Sequence, residues 1–266
     1  MAWQIVKHAF LMIFNNFGQA VRVSLVPSVL MILGWVVLMA VAGIPIFGLD
    51  GAAGLTMGED GLANFGLLPL LLLIVAIALS MFVAGWVAVS WHRFILLEEY
   101  SGFLPATEGR PIWGYVGKSL LLGLLIALAA IPLSFIVGFL FAGMITVSGQ
   151  LPVFPTLLAG LMLGTAIGYL WFRMAICLPA KAVHDDLTFG AAWGATADLS
   201  GTIFGVTVII VALNVFVGAA LGLAVSGAPL LSAILEVAIN WLSTMVGISV
   251  LTTLYGHLIE GRPLVE

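Results

Sequence analysis

The sequence predicts an all-α polytopic membrane protein: six transmembrane helices arranged as three helical hairpins, with amphipathic helices lying in the cytoplasmic interface. Three observations predict it. Only 8% of the 266 residues are charged and 63% are hydrophobic, against about 25% charged in ordinary soluble domains. Several apolar runs exceed the roughly 20 residues that carry a helix across a bilayer core. All eight Lys and Arg residues fall on one side of the topology those runs define.

Residues 2 to about 19, "AWQIVKHAFLMIFNNFGQ", form the first unit. Gln4, His8, Asn15 and Gln19 recur at helical spacing, with Ile5, Phe10, Ile13, Phe14 and Phe17 mostly on the other side. That pattern suits a helix lying in the membrane interface; the competing reading is a polar lead-in to the first span. Six spans are expected at about 22–43, 67–92, 114–146, 155–177, 202–226 and 230–257. "AVAG" at Ala40 to Gly43 offers small residues for signal cleavage. The apolar run before it is longer than a signal h-region, so it is expected to remain as a membrane helix.

The third run is too long for a straight span, and Pro132 in its middle removes a backbone donor, which predicts a kink. The 44–66 connection contains Gly48, Gly51, Gly54, Gly58 and Gly61 with Asp50, Glu59 and Asp60 and is expected to be a polar loop. The 148–154 and 226–230 connections are short, so the helices flanking them should be antiparallel neighbours.

Lys and Arg are retained on the cytoplasmic side during insertion. Lys7, Arg22, Arg93, Arg110, Lys118, Arg173, Lys181 and Arg262 all lie on the face that receives both termini. The expected topology therefore has N- and C-termini in the cytoplasm. Three apolar runs end there in an aromatic-plus-basic pair: Trp91 with Arg93, Trp171 with Arg173, and Tyr255 with His257. Such residues suit the headgroup region, aromatic rings at its level and cations reaching to phosphate and water. These six are the expected interfacial anchors.

The endings are spaced 80 and 84 residues apart, counted from Arg93 to Arg173 to His257. Each follows a short amphipathic stretch and two helices, so residues 14–97, 113–177 and 193–258 are read as three repeats within one membrane domain, 1–266. The amphipathic stretches are "IFNNFGQAVR", "IWGYVGKSL" and "AAWGATADLSGTIF".

The segments "SWHRFILLEE" and "WFRMAICLPAKAVHDDLTFGAAWGATADLSG" carry a resemblance. A helix ending in Arg173 is followed by Leu178-Pro179-Ala180, an acidic turn at Asp185 and Asp186, and an amphipathic helix with an early Trp193. This resembles bacterial six-helix inner-membrane proteins, among them the membrane domain joined to some glycerophosphoryl diester phosphodiesterases. The resemblance implies a bacterial inner-membrane location. It carries over no catalytic residue.

Other constellations were weighed by their chemistry. "VGKSL" lacks the first glycine and the preceding strand of a phosphate loop. "HDDLT" at His184 to Thr188 suits an acidic turn capping the next helix better than a cation site. Ala88 and His92 have the spacing of a tetrapyrrole ligand, but His92 is expected at the water boundary beside Arg93. Neither a metal nor a cofactor is expected. Cys177 is the single cysteine, which excludes an internal disulfide. Gly160, Gly164 and Gly168 share one face of the fourth span and are expected to bring helices close, within the bundle or at a homodimer seam. Glu236, Asn240, Ser243, Thr244 and Gly247 give the sixth span a polar stripe, and Asn214 lies mid-way along the fifth. Polar groups in hydrocarbon need a partner or water, so Glu236, Asn240, Ser243 and Asn214 are expected to face inward as a hydrogen-bond network or a solute pathway.

With no nucleophile–base pair in view, the expected function is non-enzymatic: a scaffold or accessory factor acting through lipid or protein contacts. The alternative is a small-solute or proton-coupled transporter using the polar stripe. Expected partners are membrane lipids and other inner-membrane proteins, and not nucleic acid.

Overall fold

The computed structural model describes residues 1–41, 66–144, 152–224 and 228–264. Helix α1 spans Ala2–Asn15 and α2 Phe17–Val41; α3 is Leu67–Leu97 and α4 Ile112–Phe141, the latter followed by a 3-10 turn at Ala142–Met144. Then come α5 Val153–Met174, the short helices α6 Cys177–Ala182 and α7 Phe189–Ala195, α8 Ser200–Ala224 and α9 Pro229–Leu258. Six of these are long and apolar enough to cross a membrane: α2, α3, α4, α5, α8 and α9. The chain is a multi-pass, all-α membrane protein.

The helix boundaries follow local chemistry. Asn16 separates α1 from α2: its side-chain amide donates to the Met12 carbonyl, 2.9 Å away, and its backbone leaves the helical region. An asparagine that competes for a helix carbonyl in this way favours a break. The first span therefore starts at Phe17 rather than near 22. Helix α3 continues five residues past the expected end, to a left-handed cap at Glu98 (φ 56°). The amphipathic stretch expected ahead of the third span is instead the opening of α4, because the helix begins at Ile112, directly after Pro111. Pro132 lies inside α4, whose helical assignment continues through it. The 44–65 and 148–151 segments and residues 226–227 lie outside the described residues.

Close approaches fix the helix pairs. A Cβ on Gly164 would lie 2.9 Å from Val211, and one on Gly168 would lie 2.8 Å from Thr207, so glycine is what lets α5 meet α8. Gly160, on the same face, meets nothing. Gly85 of α3 meets Val116 of α4 in the same fashion. Trp35 donates its indole N–H to Ser80 Oγ at 2.7 Å, joining α2 to α3 within the apolar region.

Packing is uneven along the bundle. The buried side chains come mostly from α1, the first half of α2, the second half of α3, α4, the end of α5, α6, the first half of α8 and the second half of α9. Helix α1 packs on α8 and α9 through Ile5, Val6, Ala9 and Ile13, all essentially inaccessible, while Gln4, Lys7, Phe14 and Asn15 stay exposed. At the opposite end Leu67, Phe135, Phe139 and Phe154 are more than 70% exposed, as lipid-facing residues are.

Candidate functional site at the charged end

The packed end is also where the basic side chains gather. Arg93, at the end of α3, turns back instead of reaching outward. Its Nε and Nη2 grip the two oxygens of Glu99 at 3.0 and 2.6 Å, and Nη1 donates to the Ala182 carbonyl at 2.9 Å. The same Nη1 lies 3.0 Å from His184 Nδ1. A guanidinium only donates, so Nδ1 of that imidazole is the acceptor. Arg110 closes on Glu99 from the other side. The Arg93 hydrogen bond, joined by the charges of Arg93 and Arg110 and opposed by partial burial, holds the Glu99 carboxyl below its ordinary range.

A second group ties α4 to the loop after α6. Lys118 donates to the Leu187 carbonyl at 2.8 Å and pairs with Asp186 at 3.4 Å, with Lys181 3.7 Å from the same carboxylate. The two lysines, Lys118 foremost, hold the exposed Asp186 carboxyl below its usual range. Asp185 accepts the Tyr255 hydroxyl at 3.1 Å, and Thr188 Oγ1 caps α7 by accepting the Ala191 N–H. The acidic turn thus divides its work: threonine caps, and each aspartate joins another element. Arg262, in the C-terminal tail, donates to the Ile95 and Leu96 carbonyls at the end of α3.

Arg173 is held differently. It is 5% exposed, and its donors go to neutral groups: Nε to Thr196 Oγ1 at 2.8 Å, Nη1 to the Tyr169 hydroxyl at 2.9 Å and Nη2 to the Trp193 carbonyl at 2.7 Å. Its guanidinium carbon lies 3.8 Å from the Trp193 ring centroid, so the aromatic face offsets some of the lost hydration.

Beneath these groups runs a buried polar layer between α3, α4 and α9. Trp91 donates to Ser249 Oγ at 3.0 Å. His92 is wholly buried, with Nδ1 2.8 Å from Thr252 Oγ1 and Nε2 3.2 Å from the Tyr115 hydroxyl. The Thr252 hydroxyl proton is committed to the Ile248 carbonyl. Thr252 therefore accepts from Nδ1–H, and Tyr115 donates to Nε2, which fixes one neutral tautomer. Cys177 is buried under this layer, and burial pushes its thiol up to about 11.

Several expected placements are corrected here. Trp91, Arg173 and Tyr255 are buried rather than seated among headgroups, and His92 is internal rather than at the water boundary. Arg93 is spent on Glu99 and Ala182, and His257 donates from Nδ1 to the Arg262 carbonyl; Trp171 is half-buried. Segments that fold back over the helix ends supply acceptors to Arg93, Arg173, Tyr255 and His257, whereas Trp91 and His92 are met by side chains of α9 and α4. The aromatic and apolar side chains that do project at this end are Trp3, Tyr100, Phe103, Leu104 and Trp113, each more than half exposed, with Arg22 5.8 Å from the Phe103 ring. Sequence reading missed Glu99, Tyr115, Thr196, Ser249 and Thr252. Their signal, a polar residue one or two turns from a helix end, is too common to single them out.

The polar stripe also departs from expectation. Glu236, Asn240 and Asn214 are exposed on the outside of the bundle. Ser232 donates to Glu236 Oε1 at 3.0 Å, Asn240 Nδ2 to the backbone carbonyl of Glu236 at 2.9 Å, and Ser243 Oγ to Asn214 Oδ1 at 2.9 Å. Among the described residues no cluster of three His, Cys, Asp or Glu side chains forms a metal site.

Comparison with known protein families, characterised proteins and solved structures finds no match.

Proposed function

We propose that this chain is a non-enzymatic protein of a bacterial inner membrane, acting as a scaffold or accessory factor through lipid or protein contacts. The observation that carries the reading is where the polar side chains point. At the charged end, Arg93, Arg173, His92 and Lys118 are committed to groups of the same chain. Along the spans, Glu236 and Asn240 are exposed, while two open surface hollows, of 730 and 690 Å³, are lined mostly by apolar residues of α4, α5 and α8. A permeation pathway needs polar groups lining a continuous wet interior.

The contact surface in this proposal is the rim of projecting side chains, Trp3, Tyr100, Phe103, Leu104 and Trp113. The interlocking of Arg93, Arg110, Lys118, Lys181 and Arg262 with neighbouring loops gathers the basic residues at one end, which supports placing that end and both termini in the cytoplasm. The resemblance carried by Arg173, the Leu178-Pro179-Ala180 run and Trp193 supports the inner membrane as the location.

Photo-crosslinking from Tyr100 and Trp113 in native membranes, read by mass spectrometry, tests the reading. Discrete protein or lipid adducts at these sites are expected, together with proteoliposomes no leakier to protons than empty vesicles. Proton flux that Glu236→Gln abolishes would replace this function with transport. Reporter fusions after residues 55, 150 and 228 should read periplasmic, and those after 108 and 190 cytoplasmic.

A further inference from the structure

The exposed polar row on α9 has a consequence independent of the scaffold reading, because a transporter would carry the same row. Glu236, Asn240 and Ser243 fall within about 60° of one another around the helix, at 100° per residue. Ser243 joins this face to Asn214 of α8. From that hydrogen bond toward the apolar end, α8 presents Gly218 and Gly222, both exposed and with open space where a Cβ would stand. The face is therefore polar on α9 and nearly flat on α8. It lies in segments apolar enough to span a membrane.

Hydrocarbon cannot satisfy these groups. A primary amide has two N–H donors and a carbonyl acceptor. Asn240 spends one donor on the Glu236 carbonyl, leaving one donor and one acceptor directed outward. That remainder is self-complementary: across a two-fold axis along the membrane normal, each Asn240 would give its free N–H to the carbonyl of the other. Both copies would share one insertion sense, so residues at equal depth would meet. The open glycine face on α8 admits a neighbouring backbone closely, as small residues do at transmembrane interfaces. Glu236 begins one turn further out, seven residues inside α9 and roughly 10 Å along its axis, near enough to the membrane surface to keep water.

We propose that a second copy of this chain docks on the α8–α9 face, with Asn240 meeting its counterpart at the two-fold axis and Gly218 and Gly222 lining the seam.

The test uses the full chain in its native membrane. Asn240→Cys, an exposed position, is oxidised with a copper–phenanthroline catalyst alongside Phe139→Cys, another exposed residue, on α4. The buried Cys177 is present in both and serves as an internal constant. A disulfide-linked dimer from Asn240→Cys and monomer from Phe139→Cys is the expected result. Photobleaching steps of the unmodified chain in lipid vesicles should show two subunits. Asn240→Leu removes both reciprocal hydrogen bonds and should raise the dissociation constant roughly 10- to 900-fold, the square of the range for one interhelical hydrogen bond in membranes. Equal crosslinking at both positions, a single photobleaching step, or a crosslink from Asn240→Cys to a different protein would each overturn the proposal.

Discussion

Trp91 gives its indole N–H to Ser249, 3.0 Å away and 158 positions later in the chain. The bond joins α3 to α9 inside the packed end, where Trp91 and Ser249 are both inaccessible. Ser249→Ala should leave a buried donor unsatisfied and cost about 1–3 kcal/mol. Combined with Trp91→Phe, the coupling should be about 0.6–2 kcal/mol, measured by a double-mutant cycle in detergent unfolding. Simple additivity would mean the bond contributes nothing beyond packing.

Arg173 should tolerate no replacement that breaks its three-way contact. Lysine cannot reach Thr196, Tyr169 and the Trp193 carbonyl with one ammonium, because the planar fork is what fits them. Arg173→Lys and Arg173→Gln should each cost about 1–3 kcal/mol. Both should also alter Trp193 fluorescence, since the cation lies over that ring; the difference against Trp193→Phe isolates the signal.

The Arg93–Glu99–Arg110 group sets an acid limit. The Glu99 carboxyl is held below the ordinary carboxylate range, first by the Arg93 hydrogen bond, so its contribution is fully present above the unfolded-state value and is lost as pH falls through the lower folded one. Acidification below about pH 4 should loosen the loop after α3, seen as faster amide exchange near Tyr100. Glu99→Gln should loosen that loop at neutral pH and flatten the acid response.

Cys177 should resist alkylation. Its thiol is buried and pushed up to about 11, so little thiolate forms at pH 8. Maleimide labelling of the folded protein should be slow and should accelerate on unfolding. Fast labelling of the native state would contradict the packing around α6.

The six spans were legible because length and apolarity alone decide whether a helix can cross a bilayer. The separate α1 was legible from Gln4, His8 and Asn15 set against Ile5 and Ile13. The roles of Arg93 and Arg173 were legible only as positions at helix ends. An arginine there can reach water or fold under a returning loop, and the deciding acceptors, Ala182 and Thr196, are 89 and 23 residues away. The spacing of Glu236 and Asn240 showed a common face, but its direction depends on which helices pack against α9, and no local pattern encodes that. Gly164 and Gly168 did mark a close contact, because glycine on a helix face leaves one obvious use for the space; which helix would fill it was not encoded nearby.

Helix α1 packs on α9, so the first fifteen residues rest on almost the last thirty. A chain made at about 5–20 residues per second would hold Ile5, Val6, Ala9 and Ile13 without their α9 partner for about 10 to 50 s. During that interval the nascent amphipathic helix has only the lipid surface or an insertion factor to cover its apolar side. Biogenesis of the packed end is therefore completed only after α9 leaves the ribosome. Truncation within α9 should leave the early spans inserted yet expose α1 to protease.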